Sequence, residues 1–134
     1  MIVGAQIMYT VLLVDDEQFI LHLCSGVLAR TGRLRILQAS SGGEAIDTAS
    51  KHDGTIELLL SDIMMPGGIS GVDLAECLTV SRPEIKVLLM SGNSPEPLAM
   101  KPGWRFLAKP FRPSDLLGQV EAILPVGYAA DAAS

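Results

Sequence analysis

Four short apolar runs of this sequence each end at side chains that could do chemistry. These are the acids Asp15 and Asp16 after the first run, Asp62 after the second, the hydroxyl of Ser91 after the third and the ammonium of Lys109 after the fourth. An apolar run of this length that ends at a turn signal is typical of a buried strand in a parallel sheet. In open α/β sheets, ligands bind beyond the carboxyl ends of the strands. These side chains are therefore predicted to converge on one site at one edge of a sheet.

The predicted site combines three carboxylates with a lysine and a serine. Three neighbouring carboxylates repel one another strongly, and a hard divalent cation with oxygen ligands, such as Mg²⁺, would relieve that repulsion. Asp62 could then stay ionised and attack phosphorus as a nucleophile, which gives an aspartyl phosphate. Lys109 would hold one phosphoryl oxygen and Ser91 would donate a hydrogen bond to another.

Strands and helices alternate along the chain. The predicted strands lie at residues 10–14, 34–39, 58–62, 85–90 and 104–108. Helical apolar spacing or capping residues follow each strand, although the fourth helix, near residues 94–100, has room for only one or two turns. Such alternation predicts a parallel sheet with right-handed crossovers and helices on both faces. The second strand is more polar than the others and is predicted to lie near an edge.

Helix ends and faces are also marked. Gly32 is expected to close the first helix, and Ser41 with Glu44 matches a capping box. Ser70 with Asp73 gives a second capping signal. Apolar residues at helical spacing predict one buried face on the first helix: Phe19, Ile20, Leu23, Cys24, Val27 and Leu28.

Length and composition restrict the class of protein. A chain of 134 residues with 49% hydrophobic and 19% charged residues is predicted to form one domain, over residues 10–125. Residues 1–9 are expected to be an N-terminal extension, and residues 126–134 a frayed tail. The net charge of −5 argues against a general nucleic-acid surface.

The chain is predicted to be cytoplasmic. No apolar run approaches the roughly 18 residues of a membrane helix, so no membrane insertion is expected, and the N-terminus lacks the charged start of a secretion signal. Cys24 and Cys77 have no metal-ligand spacing and are predicted to be two buried free thiols.

Four motifs in order resemble those of response-regulator receiver domains, the phospho-accepting modules of two-component signalling: VLLVDDE, LLSDIMMPGG, LLMSGN and FLAKPF. The resemblance covers about residues 10–124. The Pro-Gly-Gly sequence after Asp62 is similar to that of receivers of hybrid sensor histidine kinases. It implies a flavodoxin-like, doubly wound five-stranded parallel sheet of order 2-1-3-4-5, with a shortened fourth helix.

The same resemblance implies the roles of the site residues. Asp62 would accept phosphate from a phosphohistidine on a histidine kinase or a histidine phosphotransfer protein. Asp16 and Asp62 would bind Mg²⁺ directly, Asp15 would bind it through water, and the backbone carbonyl of Met64 would complete the protein ligands.

Ser91 and Phe106 would form the family's switch pair, which changes a protein-interaction surface when Asp62 is phosphorylated. The Lys109–Pro110 peptide bond is expected to be cis.

Two spacings differ from the family's usual pattern. Gly71, which opens the third helix, lies nine positions after Asp62, one more than the commonest spacing. Lys109 lies eighteen positions after Ser91, about one helical turn short. The missing turn falls in the fourth helix, which many members use for output or dimerisation.

Two other functions remain open. A degenerate receiver could act as a phosphorylation-independent protein-binding module. A Mg²⁺-dependent phosphatase with an aspartyl nucleophile is the second alternative, but such enzymes usually have an acid two residues after the nucleophile, where this chain has Met64. No helix-turn-helix follows residue 125, so direct nucleic-acid binding is not expected.

Overall fold

Five parallel strands form one sheet in the computed structural model, which describes residues 8–92 and 100–124. They are β1 (Tyr9–Val14), β2 (Leu34–Ala39), β3 (Leu58–Asp62), β4 (Lys86–Ser91) and β5 (Arg105–Ala108). Their order is β2-β1-β3-β4-β5, so the predicted topology is confirmed and β2 lies at an edge. Because all the strands run the same way, their carboxyl ends meet at one edge of the sheet, hereafter the carboxyl edge.

Helices cover both faces of the sheet. They are α1 (Gln18–Ala29), α2 (Gly42–Lys51), α3 (Gly71–Ser81) and α4 (Pro113–Ile123). Apolar side chains of α1 and α4 pack in one core cluster, and those of α2 and α3 pack in another on the opposite face. The short helix predicted after Ser91 falls mostly on residues 93–99, outside the described residues. None of the described helices is both long enough and apolar enough to cross a membrane.

The helix ends follow the predicted turn chemistry with one difference. Gly32 has a φ of +69°, a conformation that glycine adopts readily. Ser70 and Asp73 form a complete capping box at α3. At α2, the Ser41 hydroxyl accepts a hydrogen bond from the Glu44 amide at 3.1 Å. The Glu44 carboxylate, however, accepts hydrogen bonds from Ser40 and not from the amide of the N-cap residue Ser41, so the capping box is incomplete.

Two side chains that were predicted to be buried are exposed. Cys77 lies on the outer side of α3, because Leu74, Ala75 and Leu78 form the buried side of that helix. Phe19 is 73% exposed, since α1 turns Leu21, Cys24, Val27 and Leu28 toward the core instead. Apolar character alone did not predict which side of each helix meets the sheet.

The other edge of the sheet, hereafter the amino edge, is held by Arg82 at the end of α3. Its guanidinium donates hydrogen bonds to the backbone carbonyls of Ala49 at 2.8 Å, His52 at 2.9 Å and Gly54 at 2.9 Å. These carbonyls lie at and beyond the end of α2, where a helix leaves acceptors without partners of its own. Arg82 therefore joins the C-terminal ends of α2 and α3.

Candidate functional site

Three carboxylates meet at the carboxyl edge. Asp15 follows β1, Asp16 follows Asp15, and Asp62 is the last residue of β3. One oxygen atom from each of the three side chains lies within 4.8 Å of those of the other two. Asp15 is fully buried and Asp62 is 6% exposed, whereas Asp16 is exposed. The structure thus brings together the three acids that the sequence singles out, with one of them facing solvent.

Lys109 reaches into this group from the end of β5. Its Nζ lies 2.9 Å from Asp15 Oδ2 and 3.5 Å from Asp62 Oδ2. Glu17, which sequence reasoning missed, lies at the rim with its Oε1 3.7 Å from the same Nζ. Lys109 therefore bridges the ends of β1 and β3, and its ammonium is shared among several carboxylates.

The backbone around Lys109 ties β5 to β4. The Lys109 amide donates a hydrogen bond to the Ser91 carbonyl at 2.8 Å, and the Lys109–Pro110 peptide bond is cis, as the resemblance implies. Ser91 pairs with Ala108 in the register of the two strands and is 3% exposed. These contacts place Ser91 and Lys109 side by side at the carboxyl edge.

Burial controls the electrostatics of the two inner carboxyls. It raises the pKa of Asp15, although hydrogen bonds from the Glu17 backbone and from Lys109 act in the other direction. Burial and then repulsion by Asp15 raise the pKa of Asp62, while Lys109 and a hydrogen bond from the Met64 backbone lower it. Both carboxyls are therefore incompletely compensated by the one lysine.

At Lys109 the surroundings favour the charged form. Burial by itself disfavours its charged form, but the hydrogen bond to Asp15 and the attraction of Asp15, Asp62 and Glu17 outweigh burial, so the pKa of Lys109 is raised. The ammonium stays protonated at neutral pH. A fixed positive charge beside Asp62 suits the binding of a phosphoryl group, whose oxygens are negative.

The donor set fits a hard divalent cation. Asp15, Asp16 and Asp62 offer carboxylate oxygens at mutual distances that one ion can span, and all-oxygen sites of this kind suit Mg²⁺. Because Asp16 is exposed, part of the coordination sphere would remain open to water or to phosphoryl oxygens. Met64, whose side chain is 63% exposed, lies in the loop immediately after Asp62.

Phe106 lies on β5, three residues before Lys109. It is half-buried and borders a groove between β5 and α4 that Phe111 and Gly118 also line. Its strand partner in the register is Leu89, two residues before Ser91 on β4. The structure thus places the two predicted switch residues on adjacent strands.

Sequence reasoning also missed Ser61, which precedes Asp62. Its hydroxyl donates a hydrogen bond to the Asp62 carbonyl at 2.9 Å, and the side chain is fully buried. A signal was present, because Ser61 is the polar residue that interrupts the apolar run before Asp62.

Comparison with known proteins gives one family. Residues 11–121 match the response regulator receiver domain. The chain is 32% identical over 120 residues to the sensor kinase CckA of Brucella abortus, an alignment that covers 86% of this chain and 12% of that protein. It is 29% identical over 128 residues to a chemotaxis protein CheY homolog of Campylobacter jejuni, with 91% of this chain and 97% of that protein covered.

Solved structures agree with the sequence relatives. The response regulator protein TrrA of Thermotoga maritima, solved in complex with Mg²⁺–BeF, superposes with a TM-score of 0.77 and 29% sequence identity. The match covers 87% of this chain and all of that chain. The chain therefore corresponds to a small part of one relative's length and to nearly the whole length of others.

Proposed function

We propose, from the premise that this chain belongs to the response regulator receiver family of two-component systems, that Asp62 is its phosphoacceptor. One observation carries the proposal. Lys109 contacts Asp15 at 2.9 Å and Asp62 at 3.5 Å beside a cluster of three carboxylates. Nucleophile, positive charge and candidate metal ligands therefore lie together at the edge where α/β proteins bind their ligands.

The proposed reaction is transfer of a phosphoryl group from a phosphohistidine. An Asp62 carboxylate oxygen forms the new P–O bond while the P–N bond to the donor imidazole breaks, and the electron pair of that bond stays on the imidazole nitrogen. Lys109 neutralises charge on a phosphoryl oxygen, and Ser91 donates a hydrogen bond to another. Phosphoryl transfer depends mainly on positioning and charge neutralisation, and these residues provide both.

Mg²⁺, held by Asp15, Asp16, Asp62 and the Met64 carbonyl, would supply further positive charge to the phosphoryl oxygens. Two observations support this ion. The carboxylate oxygens are close enough to share one cation, and the related receiver TrrA was solved with Mg²⁺–BeF. Lys109 by itself leaves the acidic cluster with an excess of negative charge.

The proposed donor is a histidine kinase or a histidine phosphotransfer protein. An apolar groove of about 400 Å³ opens beside Lys109 and is lined by Phe19, Ile20, Leu23 and Phe111. Phe19 is exposed although it is large and apolar, a feature that marks contact surfaces. A protein that seats an apolar face in this groove could bring its histidine close to Asp62.

The proposed output is a change in a protein-contact surface. Ser91 lies at the carboxyl edge and Phe106 borders the groove between β5 and α4, so a movement of the hydroxyl toward a phosphoryl group could be followed by a movement of the ring. A charge added at Asp62 would then bias a two-state element. We further propose that the domain spans residues 10–125 and acts as a signalling module without turnover of its own.

A cytoplasmic location is proposed as well. Cys24 and Cys77 are both free thiols, which is the common state in a reducing compartment. Of the two alternative functions, the phosphatase is disfavoured because the Met64 side chain cannot act as an acid. The phosphorylation-independent binding module is disfavoured because the acids and the lysine of the site are present and Lys109 contacts both Asp15 and Asp62.

Labelling with a small-molecule phosphodonor tests the proposed function. With Mg²⁺ and phosphoramidate, the intact mass of the wild type should rise by one phosphoryl group, and the Asp62→Asn variant should take none. Asp53→Asn is the matched control, because Asp53 is an exposed carboxylate before β3, at the amino edge. It should label as fast as the wild type.

Three outcomes would contradict the proposal. Labelling of Asp62→Asn at the wild-type rate would exclude Asp62 as the acceptor. An unlabelled but folded wild type would favour the phosphorylation-independent binding module. Steady release of inorganic phosphate from a generic phosphoester would instead favour the phosphatase.

A further inference from the structure

Ser61 is a polar residue in an apolar environment. It lies in β3 between Val14 of β1 and Leu89 of β4 in the strand register, and it is fully buried. Its side chain shares a face of the strand with Leu59, because alternate residues of a strand point the same way. A buried hydroxyl costs free energy unless it finds a hydrogen-bond partner, so its partner indicates what Ser61 does there.

That partner is the backbone of the proposed phosphoacceptor. The Ser61 hydroxyl donates a hydrogen bond to the Asp62 carbonyl at 2.9 Å. The register between β1 and β3 ends at the Val14–Ser61 pair, so Asp62 extends beyond the paired part of β1. On the β4 side, Asp62 pairs with Met90, and the Ile63 amide donates a hydrogen bond to the Met90 carbonyl at 2.9 Å. The Ser61 hydroxyl is therefore a second hold on this peptide, where the pairing with β1 has ended.

The first residue of α3 covers the same carbonyl. A Cβ atom placed on Gly71 would overlap the Asp62 carbonyl oxygen and would lie 3.0 Å from the Ile63 Cα. The Gly71 amide also donates a hydrogen bond to the Ile63 carbonyl at 2.9 Å. Only a glycine lets α3 lie this close to the Asp62–Ile63 peptide.

We infer that Ser61 is a positioning residue for phosphoryl transfer, which acts by fixing the Asp62–Ile63 peptide against Gly71. The inference rests on the proposed role of Asp62. Ser61 does not face the phosphoryl group, because successive residues of a strand point to opposite faces. Its hydrogen bond sets the direction in which the Asp62 side chain leaves the strand, and therefore the distance from that carboxylate to Lys109.

Replacement of the hydroxyl alone tests this inference. Ser61→Ala should slow labelling by phosphoramidate roughly 10-fold at saturating Mg²⁺ and donor, since small displacements of reacting groups reduce rates by up to about 100-fold. Ser61→Thr keeps the hydroxyl on a side chain suited to strands, and its labelling rate should lie within about twofold of the wild-type rate. Ser81→Ala is the matched control, because the Ser81 hydroxyl also bonds a backbone carbonyl, that of Leu78 at 3.3 Å, but at the far end of α3.

The outcomes separate a positioning role from a structural one. A folded Ser61→Ala variant that labels at the wild-type rate would overturn the inference, and so would a folded Ser61→Thr variant as slow as Ser61→Ala. Equal slowing in Ser81→Ala would show a general effect of lost stability and would also overturn it.

A second readout does not depend on phosphorylation. Amide hydrogen exchange at Ile63 and Gly71 should be faster in Ser61→Ala than in the wild type, while exchange in β1 stays the same. This measurement decides the question if Ser61→Thr does not fold. It also separates the two proposals, because an unlabelled wild type refutes the role of Asp62, whereas unchanged exchange at both amides refutes the role of Ser61.

Discussion

The two edges of the sheet each place a long cationic side chain where several oxygen atoms meet. At the amino edge, Arg82 donates to three neutral backbone carbonyls at 2.8 to 2.9 Å. At the carboxyl edge, Lys109 lies among the carboxylates of Asp15, Asp62 and Glu17 at 2.9 to 3.7 Å. Both side chains join segments that are far apart in sequence.

The difference lies in what each cation leaves uncompensated. The carbonyls around Arg82 are neutral, and the hydrogen bonds of the guanidinium satisfy them, so that contact stabilises the fold. The carboxylates around Lys109 outnumber it, and the pKa values of Asp15 and Asp62 are raised. Burial is the main cause for both, repulsion by Glu17 adds to it at Asp15 and repulsion by Asp15 adds to it at Asp62, and together they exceed the help that Lys109 gives. The carboxylates around Lys109 can still bind a cation and take part in a reaction, because they are incompletely neutralised. The carbonyls around Arg82 are fully hydrogen-bonded, so they serve only to stabilise the fold.

Lys109→Met should give the largest effect, and it should be an effect on function. Removal of one preorganised charge that stabilises a transition state reduces rates by about 100- to 1,000-fold, so labelling of the folded variant by phosphoramidate should fall by that factor. Lys51→Met is the control, since Lys51 forms an exposed pair with Asp47 at 3.0 Å and should label normally. An unchanged rate in Lys109→Met would place Lys109 in the same structural role as Arg82.

Mg²⁺ should stabilise the carboxyl edge and leave the amino edge unaffected. At an ion concentration of about 100 times Kd, binding to the native state alone adds roughly 2.7 kcal/mol to the free energy of unfolding. Urea denaturation with and without Mg²⁺ measures this gain. The gain should disappear in Asp16→Asn, because Asp16 is one of the three proposed carboxylate ligands of the ion.

The Arg82→Met variant should keep the gain from Mg²⁺ in full. Equal stabilisation of Asp16→Asn and the wild type would remove Asp16 from the proposed ligands.

Arg82→Met should reduce stability and leave the chemistry intact. Hydrogen bonds to charged groups contribute about 1.5 to 3 kcal/mol each, but the freed carbonyls can partly turn to water, so a loss of roughly 2 kcal/mol in unfolding free energy is expected. Arg105→Met is the control, since the exposed Arg105 donates a hydrogen bond to the Gln119 side chain at 2.8 Å instead of to backbone carbonyls at a helix end. A folded Arg82→Met variant that labels slowly would show that the two edges are coupled.

Much of the fold follows from local chemistry. Ser70 with Asp73 and Gly32 each define a helix end through groups within a few residues, and the alternation of strands and helices implies a parallel sheet. Once the sheet is parallel, the residues that follow its strands must share one edge. The parallel arrangement by itself therefore brings Asp15, Asp62 and Lys109 to the same edge.

The side of each helix that meets the sheet could not be predicted in the same way. Phe19 and Cys77 are apolar but exposed, since the rotation of a helix depends on how its whole surface packs. Ser61 appeared only as an interruption of an apolar run, and its hydrogen bond to the next residue's carbonyl depends on where the pairing of β1 with β3 ends.

The sequence by itself therefore determined the order of the elements, the family resemblance and the edge at which the reactive residues meet, because these depend on periodicity and on residues close together in the chain. Only the tertiary structure decided that Lys109 contacts Asp15, 94 positions away, more closely than Asp62. It also decided that the Arg82 guanidinium donates its hydrogen bonds to backbone carbonyls and not to acidic side chains. Distances of this kind depend on how distant segments pack, which no local pattern records.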